Sequence, residues 1–281
     1  MLLYLRPMLK KLFATSLFIS LYLTAFCQED TTAAYQHLQS GMQLQQAQNY
    51  KAAVAAYDSA LAANSNYTKV YFYRAVAKSH LDDMQGAIND YTTFIIANPK
   101  SSSAYDNRGY AKYVAGDDEG ALADYNKAIA LNSKVVQVYI NRGSVENRLG
   151  KVRDAASDFK KALNLSPGNA DAWYGLGIAM KSQQEYEKAI IAFNNYLQIK
   201  PNVEKALLYR GTAKGLSGHF KSAFDDLNQC IALEPNDSEP YLIIGTIMVG
   251  LKDKTVACAY LQKALALGNT HAAEVIARKC K

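Results

Sequence analysis

The stretch ADAWYGLGIAMKSQQEYEKAIIAFNNYLQIKPNV, residues 170–203, sets the reading of the whole chain. Its Ala189 recurs as Ala53, Ala87, Ala121, Ala155, Ala223 and Ala257, always 34 residues apart and without insertion. Twelve positions before each alanine stands a small residue: Gly41, Ala75, Gly109, Gly143, Gly177, Gly211 and Gly245. Four positions after it stands a large apolar one: Tyr57, Tyr91, Tyr125, Phe159, Phe193, Leu227 and Leu261. A repeat this short cannot bury a hydrophobic face alone, so each copy must stack on its neighbours.

Within one repeat the pattern predicts two helices. In residues 102–135, Tyr105, Arg108, Gly109 and Lys112 fall at helical spacing on the first. Ala115-Gly116-Asp117-Asp118 marks the turn, with a glycine for a left-handed cap. Ala121, Leu122, Tyr125, Ala128 and Ile129 mark the buried face of the second helix. Repeats close at Ser65, Pro99, Ser133, Pro167, Pro201, Pro235 and Asn269, where proline stops a helix without costing an interior hydrogen bond. Facing positions of an antiparallel pair have a nearly constant index sum. Repeat position 8 is therefore expected to face position 20, small against small, and Tyr105 to meet Tyr125 where the helices diverge.

The pattern resembles the tetratricopeptide repeat, whose signature Trp173, Leu176, Gly177, Ala189, Phe193 and Pro201 match almost fully. Seven repeats start at Ala34, Thr68, Ser102, Val136, Ala170, Glu204 and Ser238 and occupy residues 34–269. The first departs most, with His37 and Ser40 at large apolar positions. The resemblance implies an all-α superhelical solenoid of antiparallel helix pairs. Residues 270–281 follow as a short capping helix over the last pair.

Residues 1–27 stand outside the array. Arg6, Lys10 and Lys11 precede an apolar run from Leu12 to Phe26, which is short for a membrane span and ends abruptly at Cys27-Gln28-Glu29-Asp30. The pattern fits a cleavable signal cut after Cys27, with residues 28–33 as a short leader. A lipidated Cys27 and an uncleaved anchor are the alternatives. Removing the three positive charges takes the net charge from +6 to +3, too weakly basic for a nucleic-acid binder.

A second pattern emerges when the repeats are compared. Arg74, Arg108, Arg142 and Arg210 occupy position 7, and Asp90, Asp124, Asp158 and Asp226 occupy position 23 of the same four repeats. The other three lack both: Ser40 with Ala56, Leu176 with Ala192, Ile244 with Tyr260. These are expected to be structural ion pairs within each repeat. The functional alternative, an anion-binding ladder, is disfavoured because each arginine already has a counter-ion.

No catalytic residues, cofactor or metal ligands are assigned. His37, His80, His219 and His271 share no metal spacing, no Cys-x-x-Cys or phosphate loop occurs, and carboxylates are scattered rather than paired in one pocket. Export would permit a disulfide, with Cys258 and Cys280 as the candidates against two independent reduced thiols. Such a bond would pin the capping helix over Leu261, Leu265 and Leu267, while Cys230 reads as a buried free thiol.

The resemblance further implies a concave groove lined by the first helices. At position 5 it carries over to Phe72, Asp106, Ile140, Tyr174 and Leu208. Position 9 adds Val76, Tyr110, Ser144, Ile178 and Thr212, and position 12 adds Tyr113, Asn147 and Lys181. That mixture suits an extended peptide or a partner helix held by aromatic anchors. Asn107 and Asn141 match the asparagines of family members that grip a C-terminal carboxylate. Their position-5 lysine is replaced here by Leu38, Phe72, Asp106, Ile140 and Tyr174, so that clamp is not expected. The expectation is a non-catalytic, exported, periplasmic or extracellular scaffold for a protein or peptide, with no nucleic acid and no small-molecule substrate. Membrane contact arises only if the N-terminal segment is retained or lipidated, and a tethered envelope assembly or regulatory factor is the alternative.

Overall fold

The computed structural model describes residues 32–280, so the signal-like segment and most of the leader lie outside the described residues. Fifteen helices and no strand are present among them: α1 (residues 32–46), α2 (Tyr50–Ala63), α3 (Thr68–His80), α4 (Met84–Ala97), α5 (Ser102–Val114), α6 (Asp118–Leu131), α7 (Val136–Arg148), α8 (Val152–Leu165), α9 (Ala170–Ser182), α10 (Tyr186–Ile199), α11 (Glu204–Leu216), α12 (Phe220–Leu233), α13 (Glu239–Gly250), α14 (Lys254–Ala266) and α15 (Thr270–Lys279). They pack as consecutive pairs, and none is long and apolar enough to cross a membrane. The chain divides into two compact halves, one reaching Ser133 and one beginning at Lys134.

In the N-terminal half α1 to α6 make three pairs. The first is held by Ala34, Leu38, Ala53, Tyr57 and Ala60, all buried, while His37 and Ser40 are exposed. In the C-terminal half α7 to α14 make four pairs, followed by α15.

One contact recurs in both halves. The side chain at position 24 lies against the small residue at position 8, and at Gly245 the backbone of Ala257 at position 20 is close as well, as expected. A Cβ added to Gly109 would meet the Tyr125 ring at 2.9 Å, one on Gly143 the Phe159 ring at 3.0 Å, and one on Gly177 the Phe193 ring at 2.7 Å. The index sum places Cβ atoms and did not anticipate the position-24 contact, because a ring on a helix extends about one turn beyond its own Cα. Gly175 has the same cause from the other side. Its Cβ would lie 2.3 Å from Phe159, the ring of the preceding repeat, so the Gly-x-Gly of α9 admits one ring on each face.

Turns inside the pairs share a left-handed residue at position 15. Glycine supplies it at Gly116, Gly150 and Gly218, but Gln48, Asp82, Gln184 and Lys252 adopt φ near +60° without that freedom. The next residue caps the second helix where it is Asp or Asn: Asn49, Asp83, Asp117 and Asp253 each accept from the backbone N–H three residues on, whereas Glu185 does not. Rings at position 4 tie successive repeats together. Tyr71 donates to the Ser65 carbonyl, Trp173 to that of Pro167 and Tyr241 to that of Pro235.

At the C-terminal end Cys258 is disulfide-bonded to Cys280, and Cys230 is free and buried. Helix α15 starts from an Asn269 cap and covers Leu261 and Ala264 with Ala272, Val275 and Ile276. Leu265 is not under this cover and is 41% exposed, because it points away on the next turn of α14.

Gly177→Leu should lower stability by about 1–3 kcal/mol, since a side chain there displaces the buried Phe193 ring. Urea melts of the two proteins would measure it. An unchanged midpoint would mean that the ring yields freely and does not set the helix spacing.

Candidate functional site

The four arginines at position 7 lie close to their aspartates, and the geometry is the same in each repeat. Arg74 Nε and Nη2 donate to the two carboxylate oxygens of Asp90 at 2.8 and 2.7 Å, and Arg108 does the same to Asp124 at 2.8 and 2.6 Å. In the C-terminal half Arg142 donates to Asp158 at 2.6 and 2.7 Å, and Arg210 to Asp226 at 2.8 and 2.6 Å. These are bidentate, charge-assisted bonds. The four aspartates are 3–5% exposed. Tyr71, Tyr105 and Tyr139 lie over the guanidinium of the arginine three residues on, which corrects the expected contact of Tyr105 with Tyr125.

Two features of this site escaped the sequence reading. Arginine Nη1 reaches back to position 25 of the preceding repeat: Arg74 to Asp58 at 2.6 Å, Arg108 to Thr92 at 3.1 Å, Arg210 to Asn194 at 2.9 Å. Each of these arginines therefore joins three helices. A lysine at position 11 adds a third charge, with Lys78 on Asp90 and Lys112 on Asp124 at 2.8 Å, and Lys214 on Asp226 at 2.9 Å. The signal was present, because repeats without the Arg–Asp pair carry Leu44, Met180 and Met248 at that position. With its hydrogen bonds aimed inward, the arginine row is built to hold helices rather than anions.

Repeat 4 breaks the pattern. Glu146 stands where the other three have lysine, is 8% exposed, and lies 3.9 Å from Arg142 Nε. Burial, then the charge of Asp158, pushes its carboxyl up to about 7, with Arg142 opposing.

The groove residues fall into three groups. Ile140 and Leu208 are buried, which removes them from any lining, since position 5 sits at the edge of the helix-pair core. Phe72 also turns inward, against the rings of Tyr91 and Phe94. Ser144 and Thr212 remain part-exposed, but their hydroxyls bond back to the carbonyls of Ile140 and Leu208 on their own helices. Val76, Asp106, Tyr110, Tyr113, Asn147, Tyr174, Ile178 and Lys181 keep exposed surface, Tyr110 the most at 47%.

Among the cavities that open on the first helices, two have mainly apolar linings. In the N-terminal half Val76, Ser79, His80, Met84, Tyr91, Asn107 and Tyr110 line about 250 Å³. Ser79 and Asn107 line this cavity beside Tyr91, and the Ser79 hydroxyl donates to the Ala75 carbonyl on its own helix. In the C-terminal half Thr212, Leu216, Phe220, Leu242 and Ile247 surround about 390 Å³ of apolar space. No group of histidine, cysteine and carboxylate residues suited to a metal ion occurs among the described residues.

Paired helices of this length, a glycine notch and a conserved spacing within the chain match one family profile, the tetratricopeptide repeat, over residues 141–204. Residues 141–204 match that family, and the other helix pairs share its fold. Similar tetratricopeptide folds are found in solved structures. The C-terminal part of a TPR repeat-containing protein from Cytophaga hutchinsonii is 23% identical with a TM-score of 0.68, over 84% of this chain and 98% of that one. YrrB, described as a TPR protein with an unusual peptide-binding site, is 22% identical with a TM-score of 0.61, over 67% and 97%. PilW, a type IV pilus biogenesis factor, is 19% identical with a TM-score of 0.64, over 76% and 98%. At these identities the likeness is one of fold. No curated protein matches the chain.

The triads predict non-additive mutants. Arg108→Leu leaves the buried Asp124 carboxylate with Lys112 as its one remaining counter-ion and should cost up to about 3–5 kcal/mol, while Arg108→Leu with Asp124→Ala and Lys112→Met, the set that repeat 5 carries, should cost much less. A coupling below about 0.5 kcal/mol in urea melts would show that the pair does not act as one.

Glu146 gives a pH prediction of defined sign. A carboxyl raised in the folded state contributes stability that is full below its unfolded value and lost as pH rises through about 7. Glu146→Gln should therefore stabilise at about pH 8.5 and leave stability at about pH 5 nearly unchanged. Equal melting shifts at both pH values would refute the buried, proton-holding carboxyl.

Proposed function

We propose that this protein is an exported, non-catalytic scaffold that binds an extended peptide or a partner helix along the first helices of its repeats. The observation that carries the reading is the pair of cavities on that face, bordered by exposed aromatic and aliphatic side chains such as Tyr110 and Leu216. Large apolar groups exposed beside a cavity are the usual anchors of a protein interface. The tetratricopeptide fold supports the coarser part, a protein–protein interaction scaffold. The Arg–Asp–Lys triads stiffen the face without taking part in binding, because their hydrogen bonds are satisfied within the array.

Export rests on the positive start, the apolar run and the polar stop of residues 1–30. The same run favours a second reading, in which it is retained and tethers the scaffold to a membrane as an assembly or regulatory factor. The mass of the mature N-terminus separates the two, Gln28 for the first and lipidated Cys27 or Met1 for the second.

A photo-crosslinking residue placed in the producing cell at Tyr110, at Leu216, and at Ile96 on the second-helix side tests the binding face. Ile96 is 78% exposed and serves as the control. Adducts from Tyr110 or Leu216 that are absent from Ile96 are expected. Adducts from Ile96 alone would move the interface to the second helices and end this reading.

A further inference from the structure

Apart from Asp171 and Glu239 at position 2, the first-helix face of the C-terminal half carries positive charge. At positions 5, 6, 9, 12 and 13, repeats 4 to 7 hold Arg148 and Lys181 and no carboxylate. Lys181 is the more confined of the two. Its ammonium lies 4.1 Å from the centroid of the Tyr209 ring, and no carboxylate stands within ion-pair distance. Glu239 acts on it only from farther off, and burial lowers its pKa. A cation shielded on one side by an aromatic ring and lacking a counter-ion keeps its demand for an anion.

One first helix along, Gly215 occupies the position that holds Gln45, Ser79, Tyr113, Asn147, Lys181 and Val249 in the other repeats. Gly215 lines the 390 Å³ apolar cavity between α11 and α13, with Ile247 packed against it. A Cβ on Gly215 would come within 2.6 Å of Ile247 Cδ1, so a side chain there would push Ile247, itself part of the lining, into the cavity. Leu216 and Phe220 form its rim, 58% and 36% exposed. A large apolar side chain from outside would find walls on three sides and no buried polar atom to strand.

We propose that the C-terminal half recognises an extended acidic peptide, with an Asp or Glu side chain on Lys181 and a Leu or Phe side chain in the Gly215 cavity. Neighbouring helices lie roughly 10 Å apart and an extended chain advances about 3.3 Å per residue, which puts the two groups about three residues apart. Complementarity of charge selects the acidic side chain, and the shape of the cavity selects the anchor. The proposal rests on the first-helix face being the binding face and names the partner chemistry of that face.

The test is to pan a random displayed peptide library on the intact protein and to synthesise the enriched sequences as labelled peptides. Enrichment of an acidic residue three before Leu or Phe is the expected result. Lys181→Glu should weaken the winning peptide by about tenfold, and a peptide with Lys in place of the acid should recover binding to that variant. Gly215→Leu should weaken peptides carrying the anchor and leave an Ala-substituted peptide unaffected. Should Gly215→Leu fail to fold by circular dichroism, Leu216→Asp at the exposed rim makes the same test. Enriched peptides without an acid, or undiminished binding by Lys181→Glu, would overturn this proposal and leave the binding face in place. No enrichment at all, or crosslinks only to second helices, would overturn both.

Discussion

The spacing of every helix pair is set by one contact, the ring or branched side chain at position 24 pressed into a glycine or alanine at position 8. Those side chains, from Tyr57 to Leu261, are at most 2% exposed. With a larger residue at position 8 the helices would stand farther apart, and the arginine at position 7 could not reach both oxygens of its aspartate. The rings face neighbouring repeats as well, as Phe159 does between Gly143 and Gly175. Packing within a repeat and stacking between repeats are thus one constraint rather than two.

Much of this was legible in the chain because the repeat supplies its own internal comparison. Seven aligned copies expose what one copy hides, including the co-occurrence of Arg and Asp. The index-sum argument placed Arg74, Arg108, Arg142 and Arg210 beside their aspartates, since those side chains reach straight across the pair. It did not show which side chain fills the glycine row, where the length and tilt of a ring carry its contact one turn on. Lysine at position 11 was readable by the same comparison and was passed over. The groove was harder. Ile140 and Leu208 sit one helical step from the exposed face, and a spacing rule cannot resolve a boundary that neighbouring side-chain size decides. The hydroxyls of Ser144 and Thr212 look like partner contacts in a sequence, yet helix carbonyls are their nearest acceptors.

The triads also show why an array can keep costly charges. Taking Arg and Asp out of water is unfavourable unless every donor and acceptor finds a partner, and here the lysine and the preceding helix complete the set. Repeat 5 meets the same geometric need with Leu176 and Ala192, both buried. Interleaving the two solutions gives neighbouring repeats different surfaces. A copy is then less able to pair with the wrong neighbour, a slip to which identical repeats are prone. Glu146 is the exception, a buried carboxyl with a weak hold on its arginine, and it makes repeat 4 electrostatically unlike the others.

The bond between Cys258 and Cys280 changes how force travels through the end of the molecule. It spans 22 residues, from the second turn of α14 to the C-cap of α15. Tension applied at the C-terminus crosses the sulfurs and loads the chain at Cys258, leaving the rest of α14 and all of α15 outside the line of pull. A partner or tether drawing on that end would therefore find a covalently closed loop instead of a helix to peel. The first element able to yield is the pairing of α13 with the start of α14.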